Sequence, residues 1–120
     1  MSTATAAPPF TGRQVADAAG CTYRQIDYWG RTGLLTPSVQ PADGSGSRRG
    51  YSAVDVELGR MIAALARFGS LATARAAADE LRAVLEAPVR PVGVYVTDTG
   101  TVCTDPTSVA ALWLPLGGVS

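Results

Sequence analysis

Hydrophobic residues recur at helical spacing in four stretches ahead of Pro88, and the runs after it change to β-prone residues. Val15, Ala16 and Ala19 share one side of a short helix predicted over Arg13–Ala19, with Thr11 as its N-cap and Gly20 ending it in a left-handed turn. Thr22 then caps a second helix running to about Thr32, with Ile26, Trp29 and Tyr23 marking its inward stripe. Val54, Leu58, Met61, Ile62 and Leu65 give a third helix, opened by Ser52 with Asp55 as its acidic capping partner and closed at Phe68-Gly69. Ser70 caps a fourth, Leu71 to Ala87, in which Leu71, Ala74, Ala78, Leu81 and Leu85 follow an a/d rhythm. That seam fits either the core of its own domain or a second subunit.

Between the second and third helices the pattern breaks. Gly33 ends the helix, and Leu34 and Leu35 are placed to pin the chain back onto the core. Thr36 to Gly50 is too rich in Pro, Gly and Ser for a helix. Two short strands are expected near Ser38–Val39 and Arg49–Tyr51, with ADGSGS as the loop between them, because arginines and an aromatic return as the loop closes. The alternative is a mobile interhelical linker. Two short helices joined by a Gly-containing turn, followed by such a loop, form a helix-turn-helix candidate with a wing.

Pro88 and Pro91 stop the fourth helix. Val92–Val96 and Thr101–Thr104 flank Asp98–Gly100 and predict a β-hairpin. Asp105 is read as the cap of a last short helix, Thr107 to Leu114. An isolated hairpin is marginal in water, so this one must dock on its own chain or on a partner. The expected organisation is a loose tail over residues 1–9, a DNA-binding domain over 10–69, a connecting helix over 70–87, and a hairpin-and-helix appendage over 88–120.

Composition narrows the function. With 47% hydrophobic and 17% charged residues, the chain has material for a core and does not look disordered. A net charge of zero argues against a generally cationic coat, yet the charge is unevenly placed: arginines outnumber acids through Phe68 and the order reverses beyond it. Every basic residue is Arg, with no Lys and no His. MSTATAAPPF lacks the basic and apolar regions of a signal peptide, and no run is long enough to span a membrane. The expected location is the cytoplasm, at the nucleoid.

Cys21 and Cys103 form no CxxC pattern, and without His a metal site built by one chain is not expected. They read as semi-buried small residues, with a redox-active Cys21 as the alternative. The chain has no nucleophile elbow, phosphate loop or clustered carboxylate pair, so no enzyme activity and no cofactor are expected.

Arg24 and Arg31 lie seven apart, two turns along one helical face, spaced to touch phosphates or enter a major groove. Gln25 and Tyr28 stand beside them as hydrogen-bonding groups. Asp27 is placed to orient an arginine or to accept from a cytosine amine. From the wing, Arg48 and Arg49 would reach a flanking backbone or minor groove, and Tyr51 would donate to a phosphate. With Thr11, Arg13, Thr22 and Tyr23 from the helix starts, these residues form the candidate DNA-contacting set. The bland alternative is a solvated surface in which the arginines pair with Asp17, Asp27 and Asp55.

Here the residues resemble a known family. GCTYRQIDYWGRTGLL falls in register with the MerR family's Gly-Val-Ser, two variable residues, then Thr-Ile-Arg-Tyr-Tyr-Glu-Arg-x-Gly-Leu-Leu. TYRQIDYWGRTGLLTPSVQPADGSGSRRGYSAVDV is more similar still to the actinobacterial branch of that family, TYRQLDYWARTGLVxPSVRxAxGSGSxRxYSFxDV. The winged part of the resemblance covers about Phe10 to Leu85, and VYVTDTGTVCTDPTSVAALW is similar to the strand-turn-strand-helix that follows in that branch.

The resemblance implies a mainly α fold, a winged helix-turn-helix with a small C-terminal hairpin plus short helix. It also implies a homodimer placing two recognition helices in successive major grooves of a palindromic operator, with RNA polymerase as a further partner through promoter distortion. By position, Thr22, Tyr23, Arg24, Gln25, Tyr28 and Arg31 would face DNA from the second helix, and Arg48, Arg49 and Tyr51 from the wing.

Three departures qualify the likeness. Asp27 stands where the wider family has Arg, which changes base readout. Gly30 stands where it has Glu, loosening the helix by up to about 1 kcal/mol. The long dimerising helix with metal-binding cysteines is missing, so metal sensing is not carried over, and the effector is left open. Other functions that fit are an excisionase-like or architectural DNA-bending protein, encoded by an actinobacterium or its phage, and a protein-binding adaptor working through the C-terminal appendage.

Overall fold

Three of the four helices open on a reciprocal cap in which a hydroxyl and a side chain three residues on satisfy each other's backbone. In the computed structural model, which describes residues 10–39, 50–103 and 111–116, α1 spans Gly12–Ala19, α2 Tyr23–Arg31, α3 Ala53–Phe68 and α4 Leu71–Glu86. Thr11 Oγ1 accepts from the Gln14 amide at 3.1 Å while Gln14 Oε1 accepts from the Thr11 amide at 2.8 Å. Thr22 and Gln25 repeat the exchange at 3.1 and 3.0 Å, and Ser52 and Asp55 at 3.0 and 2.9 Å. Ser70 caps α4 more simply, accepting from the Thr73 amide at 3.2 Å. Each such cap contributes about 1 kcal/mol, a large share of what helices as short as α1 and α2 need.

Between α1 and α2 the chain turns at Gly20, whose φ of 74° is the left-handed conformation expected of a glycine C-cap. Val15, Ala16 and Ala19 of α1, Ile26 and Trp29 of α2, and Leu34 and Leu35 after it are all buried in the core, where α1 packs against both α2 and α3. Tyr23, expected on the inward stripe, is 49% exposed. Its Cβ lies about 60° from the Ile26 direction on the helical wheel, far enough to bring the ring to the surface.

The seam of α4 is spent inside the chain. Ala74, Ala77, Ala78, Leu81 and Leu85 are buried in one hydrophobic cluster with α3 and with Val94, Val96, Leu114 and Leu116. The helices and the C-terminal sheet therefore share a core.

That sheet is β1 (Gly93–Thr97), β2 (Val102–Cys103) and β3 (Ala111–Pro115), in the order β2-β1-β3, antiparallel throughout. The expected hairpin is present as β1 and β2. The expected last helix over Thr107 to Leu114 is corrected: residues 111–115 are a strand, paired Val94↔Leu114 and Val96↔Leu112 with β1. Strand pairing overrides the helix preference of Ala and Leu because it turns Leu112 and Leu114 onto the core face that Val94 and Val96 already line.

Of the wing, the described residues include its base. At its base Val39 and Gly50 exchange backbone hydrogen bonds at 3.0 and 2.8 Å, and Tyr51 pairs with Phe10 beside them at 2.8 Å in both directions. The expected loop ADGSGS lies outside the described residues.

Candidate nucleic-acid interface

The second helix is held by its apolar side and offers its polar side outward. Ile26 and Trp29 anchor α2, at 0% and 3% exposure. Arg24, Asp27, Tyr28 and Arg31 lie within about 100° of one another on the opposite side, at offsets of three, four and seven. Tyr28 is 52% exposed, and Arg24 and Arg31 stand in solvent.

Two of these side chains are tied to each other. Arg31 Nη2 donates to Asp27 Oδ2 one turn away. An exposed i,i+4 pair of this kind adds little stability, but it aims the Arg31 guanidinium and lowers the charge this face presents. At the other end, the Arg13 guanidinium sits 5.3 Å from the centre of the Tyr23 ring, linking the start of α1 to the start of α2 by a cation–π contact.

The two threonines are committed to structure. Thr11 and Thr22 hold their helices' first turns, and Gln25 spends its side-chain oxygen on the Thr22 cap. What Gln25 keeps for an acceptor on DNA is its amide NH2 group.

Arg24, Asp27, Tyr28 and Arg31 thus share the outward face of α2, Arg13 and Tyr23 meet beside its start, and Thr11, Thr22 and Gln25 sit in the helix caps. Arg48 and Arg49 lie outside the described residues.

Tyr51, expected to donate to a phosphate from the wing, is 6% exposed and belongs to the core cluster. Burial pushes its hydroxyl pKa up, with Tyr23, Asp55 and Asp27 nearby adding to the effect. Its backbone bridges to Phe10, next to the Val39–Gly50 bridge at the base of the wing.

The wing's support continues at Asp55. Its carboxylate is fully buried and accepts from Ser38 N at 3.1 Å, Ser38 Oγ at 2.6 Å, Ser52 N at 2.9 Å and Arg82 Nη2 at 2.7 Å. Burial alone would raise its pKa, but the donors from Ser38, Ser52 and Arg82 outweigh it and hold the carboxyl below its usual range. One side chain therefore joins the segment entering the wing, the first turn of α3 and the fourth turn of α4. The sequence signalled its capping role and offered it as an arginine partner, but not its hold on Ser38.

Two arginines outside the expected set also approach the ends of α2. Arg75 of α4 donates to the carbonyl and hydroxyl of Thr32, the residue ending α2, at 3.1 and 3.3 Å. Arg67, in the last turn of α3, lies close enough to Cys21, just before the α2 cap, to pull down a thiol pKa that burial raises more strongly. The two cysteines are free, and among the described residues no group of His, Cys, Asp or Glu is placed to hold a metal ion. Among them, too, no helix is long and apolar enough to cross a membrane.

Comparison with known proteins agrees with this geometry. The family model described as MerR HTH family regulatory protein matches residues 10–81, from the strand pairing at Phe10 into the third turn of α4. Proteins described as uncharacterized HTH-type transcriptional regulators, one from Mycobacterium bovis and one each from two strains of Mycobacterium tuberculosis, are 45% identical to this chain over 74 residues. The alignment covers 61% of this chain and 33% of theirs, so the chain spans about a third of the length of the curated relatives it matches.

Proposed function

Because the chain belongs to the MerR family of HTH regulatory proteins, a family of DNA-binding transcriptional regulators, we propose that it binds a palindromic promoter operator as a homodimer and acts on transcription in the cytoplasm, at the nucleoid. The observation that carries this reading is the outward face of α2. Arg24, Tyr28 and Arg31 stand free of the core while Ile26 and Trp29 fix the helix beneath them. Two guanidinium groups two turns apart suit phosphates on either side of a major groove, and Gln25 and Tyr28 between them suit base edges. Thr11, Arg13, Thr22 and Tyr23 extend the contact along the helix starts, and Arg48 and Arg49 extend it from the wing.

The dimer contact is better placed on the sheet than on the α4 seam, because the seam is occupied by α3 and the strands of the same chain. On the sheet's outer side Trp113 is 42% exposed and meets Tyr95 in a tilted contact, 4.8 Å between ring centres. The same aromatic pair supports a second reading, in which the sheet receives RNA polymerase or another protein.

Recovery of bound genomic fragments with the full chain, followed by titration of a recovered duplex at several salt concentrations, tests the proposal. Operator binding requires half-sites about one helical turn apart, two protomers per site, and affinity that falls steeply with salt. Fragments without symmetry, bound cooperatively as direct repeats, indicate a DNA-bending role instead. Absence of any salt-sensitive binding sinks the DNA reading.

A further inference from the structure

We propose that Arg75 of α4 is a positioning residue for DNA recognition, holding the C-terminal turn of α2 and with it the Arg31 side chain. The inference rests on the DNA-binding role of α2 argued above and adds to it a residue that lies outside the recognition helix.

Nine residues make α2 only two and a half turns long, and its final carbonyls need partners. Most come from the next few residues: Thr32 N and Oγ1 donate to Tyr28 O at 3.0 Å each, Gly33 N to Gly30 O at 3.3 Å, and Leu34 N to Trp29 O at 2.9 Å. The Thr32 carbonyl itself is met by Arg75 Nη1 at 3.1 Å, while Arg75 Nη2 lies 3.3 Å from Thr32 Oγ1. Among the described residues, Arg75 is the side chain from outside Thr22–Leu35 that hydrogen-bonds this end of the helix. A two-pronged guanidinium fixes direction as well as distance. It also sets a positive charge at a helix C-terminus, where the dipole favours one.

Thr32 follows Arg31 directly and bonds back to Tyr28, so any tilt of this turn moves both DNA-facing side chains. The turn of α4 that carries Arg75 is itself gripped from the other side. Thr73 Oγ1 donates to Asp98 O at 2.6 Å in the turn between β1 and β2. The Gly100 Cα packs against Ala76 there, so closely that an added Cβ would lie 2.5 Å from the Ala76 Cβ. The sheet and the recognition helix thus hold one turn of α4 between them.

The test compares the full-length chain with Arg75→Ala, Arg75→Lys and Thr32→Val, using a duplex selected on the wild-type protein and backbone amide exchange without DNA. Arg75→Ala is expected to weaken binding about tenfold with an unchanged salt slope, and to speed exchange at Thr32 and Leu34. Arg75→Lys, which keeps the charge but loses the fork, is expected to recover part of the affinity. Thr32→Val leaves the arginine in place and is expected to shift both readouts the same way by a smaller factor. A salt slope reduced by about one in Arg75→Ala would mean a direct phosphate contact and overturn the positioning role. Unchanged affinity and exchange in Arg75→Ala overturns it as well. A wild-type chain that binds no duplex refutes the DNA reading, and the exchange comparison still decides whether Arg75 holds the end of α2.

Discussion

Arg82 on α4 places a guanidinium nitrogen 2.7 Å from Asp55 Oδ1 at the first turn of α3, and Asp55 has no exposed surface. The pair is asymmetric, because the Arg82 side chain keeps 28% of its surface in solvent and has Glu86 as a second partner at 3.3 Å. Removing the two partners should therefore have different costs. Asp55→Ala strips the acceptor from Ser38, Ser52 and Arg82 at once and is expected to destabilise the fold by about 3–5 kcal/mol. Arg82→Met leaves the carboxylate three neutral donors and is expected to cost about 1–3 kcal/mol. Urea unfolding of the two variants measures the difference, and equal losses would contradict the asymmetry.

The same carboxylate sets an acid limit. Burial acts to raise its pKa, and the hydrogen bonds from Ser38, Ser52 and Arg82 more than reverse that, so the folded value lies below the unfolded one. A depressed folded pKa contributes stability that is fully present above the unfolded carboxyl pKa of about 4 and is lost as pH falls through the folded value. Stability of the wild type is expected to fall steeply below about pH 4. In Asp55→Asn this part of the pH dependence should disappear, leaving a shallower acid limb in urea midpoints measured across that range.

Much of this architecture is visible in local sequence, and what is not visible depends on distant partners. Thr11, Thr22 and Ser52 announce helix starts because their caps close within three residues. The stripe from Leu58 to Leu65 announces a buried face because one helix repeats it. The strand at 111–115 was hidden: Ala, Leu and Trp read as helix until β1 supplies pairing, although the alternation Leu112, Leu114, Leu116 with Trp113 and Pro115 between them carries a period of two. Tyr51 follows two arginines, and its place in the core cluster comes from packing with distant residues that no local pattern records. The Arg75–Thr32 contact spans 43 residues and leaves no periodic trace.

On the outward face of α2, charge should separate from readout. Arg24→Ala and Arg31→Ala are each expected to weaken DNA binding and to lower the salt slope by about one. Asp27→Ala releases Arg31 from its ion pair. It should tighten binding to unrelated duplex at low salt while narrowing the margin between operator and unrelated DNA. The pair is exposed, so melting temperature should scarcely move. Anisotropy titrations on both duplexes test this, and a margin that widens in Asp27→Ala would show that Asp27 does not contribute to discrimination.

Gly100 couples the sheet to α4 through shape alone. Its φ of 92° disfavours any side chain, and a Cβ there would meet Ala76 Cβ at 2.5 Å and Thr73 O at 2.9 Å. Gly100→Ala is expected to destabilise the chain by about 1–3 kcal/mol. The loss should show as faster amide exchange in β1 and β2 and in the first turns of α4, with α1 less affected. Uniformly faster exchange along the chain would mean that the sheet does not open separately.

Gly30 sits in the last turn of α2, where glycine is a poor helix former, yet its conformation there is open to other residues. Among the described residues, and apart from the helix's own backbone, a Cβ at Gly30 would find Leu35 O at 3.6 Å, an ordinary contact, and no other heavy atom within 4 Å. Helical backbone with room for a methyl group is the case in which Gly→Ala restricts the unfolded chain more than it strains the folded one. Gly30→Ala is therefore expected to stabilise the protein by about 0.5–1 kcal/mol. The gain falls in the turn that carries Arg31 and ends on Thr32, so affinity for a selected duplex should hold or rise with it. If stability rises while affinity drops, then the looseness of this turn serves DNA binding, through adjustment of Arg31 to its phosphate. Thermal melts and titrations on the same two preparations decide between those outcomes.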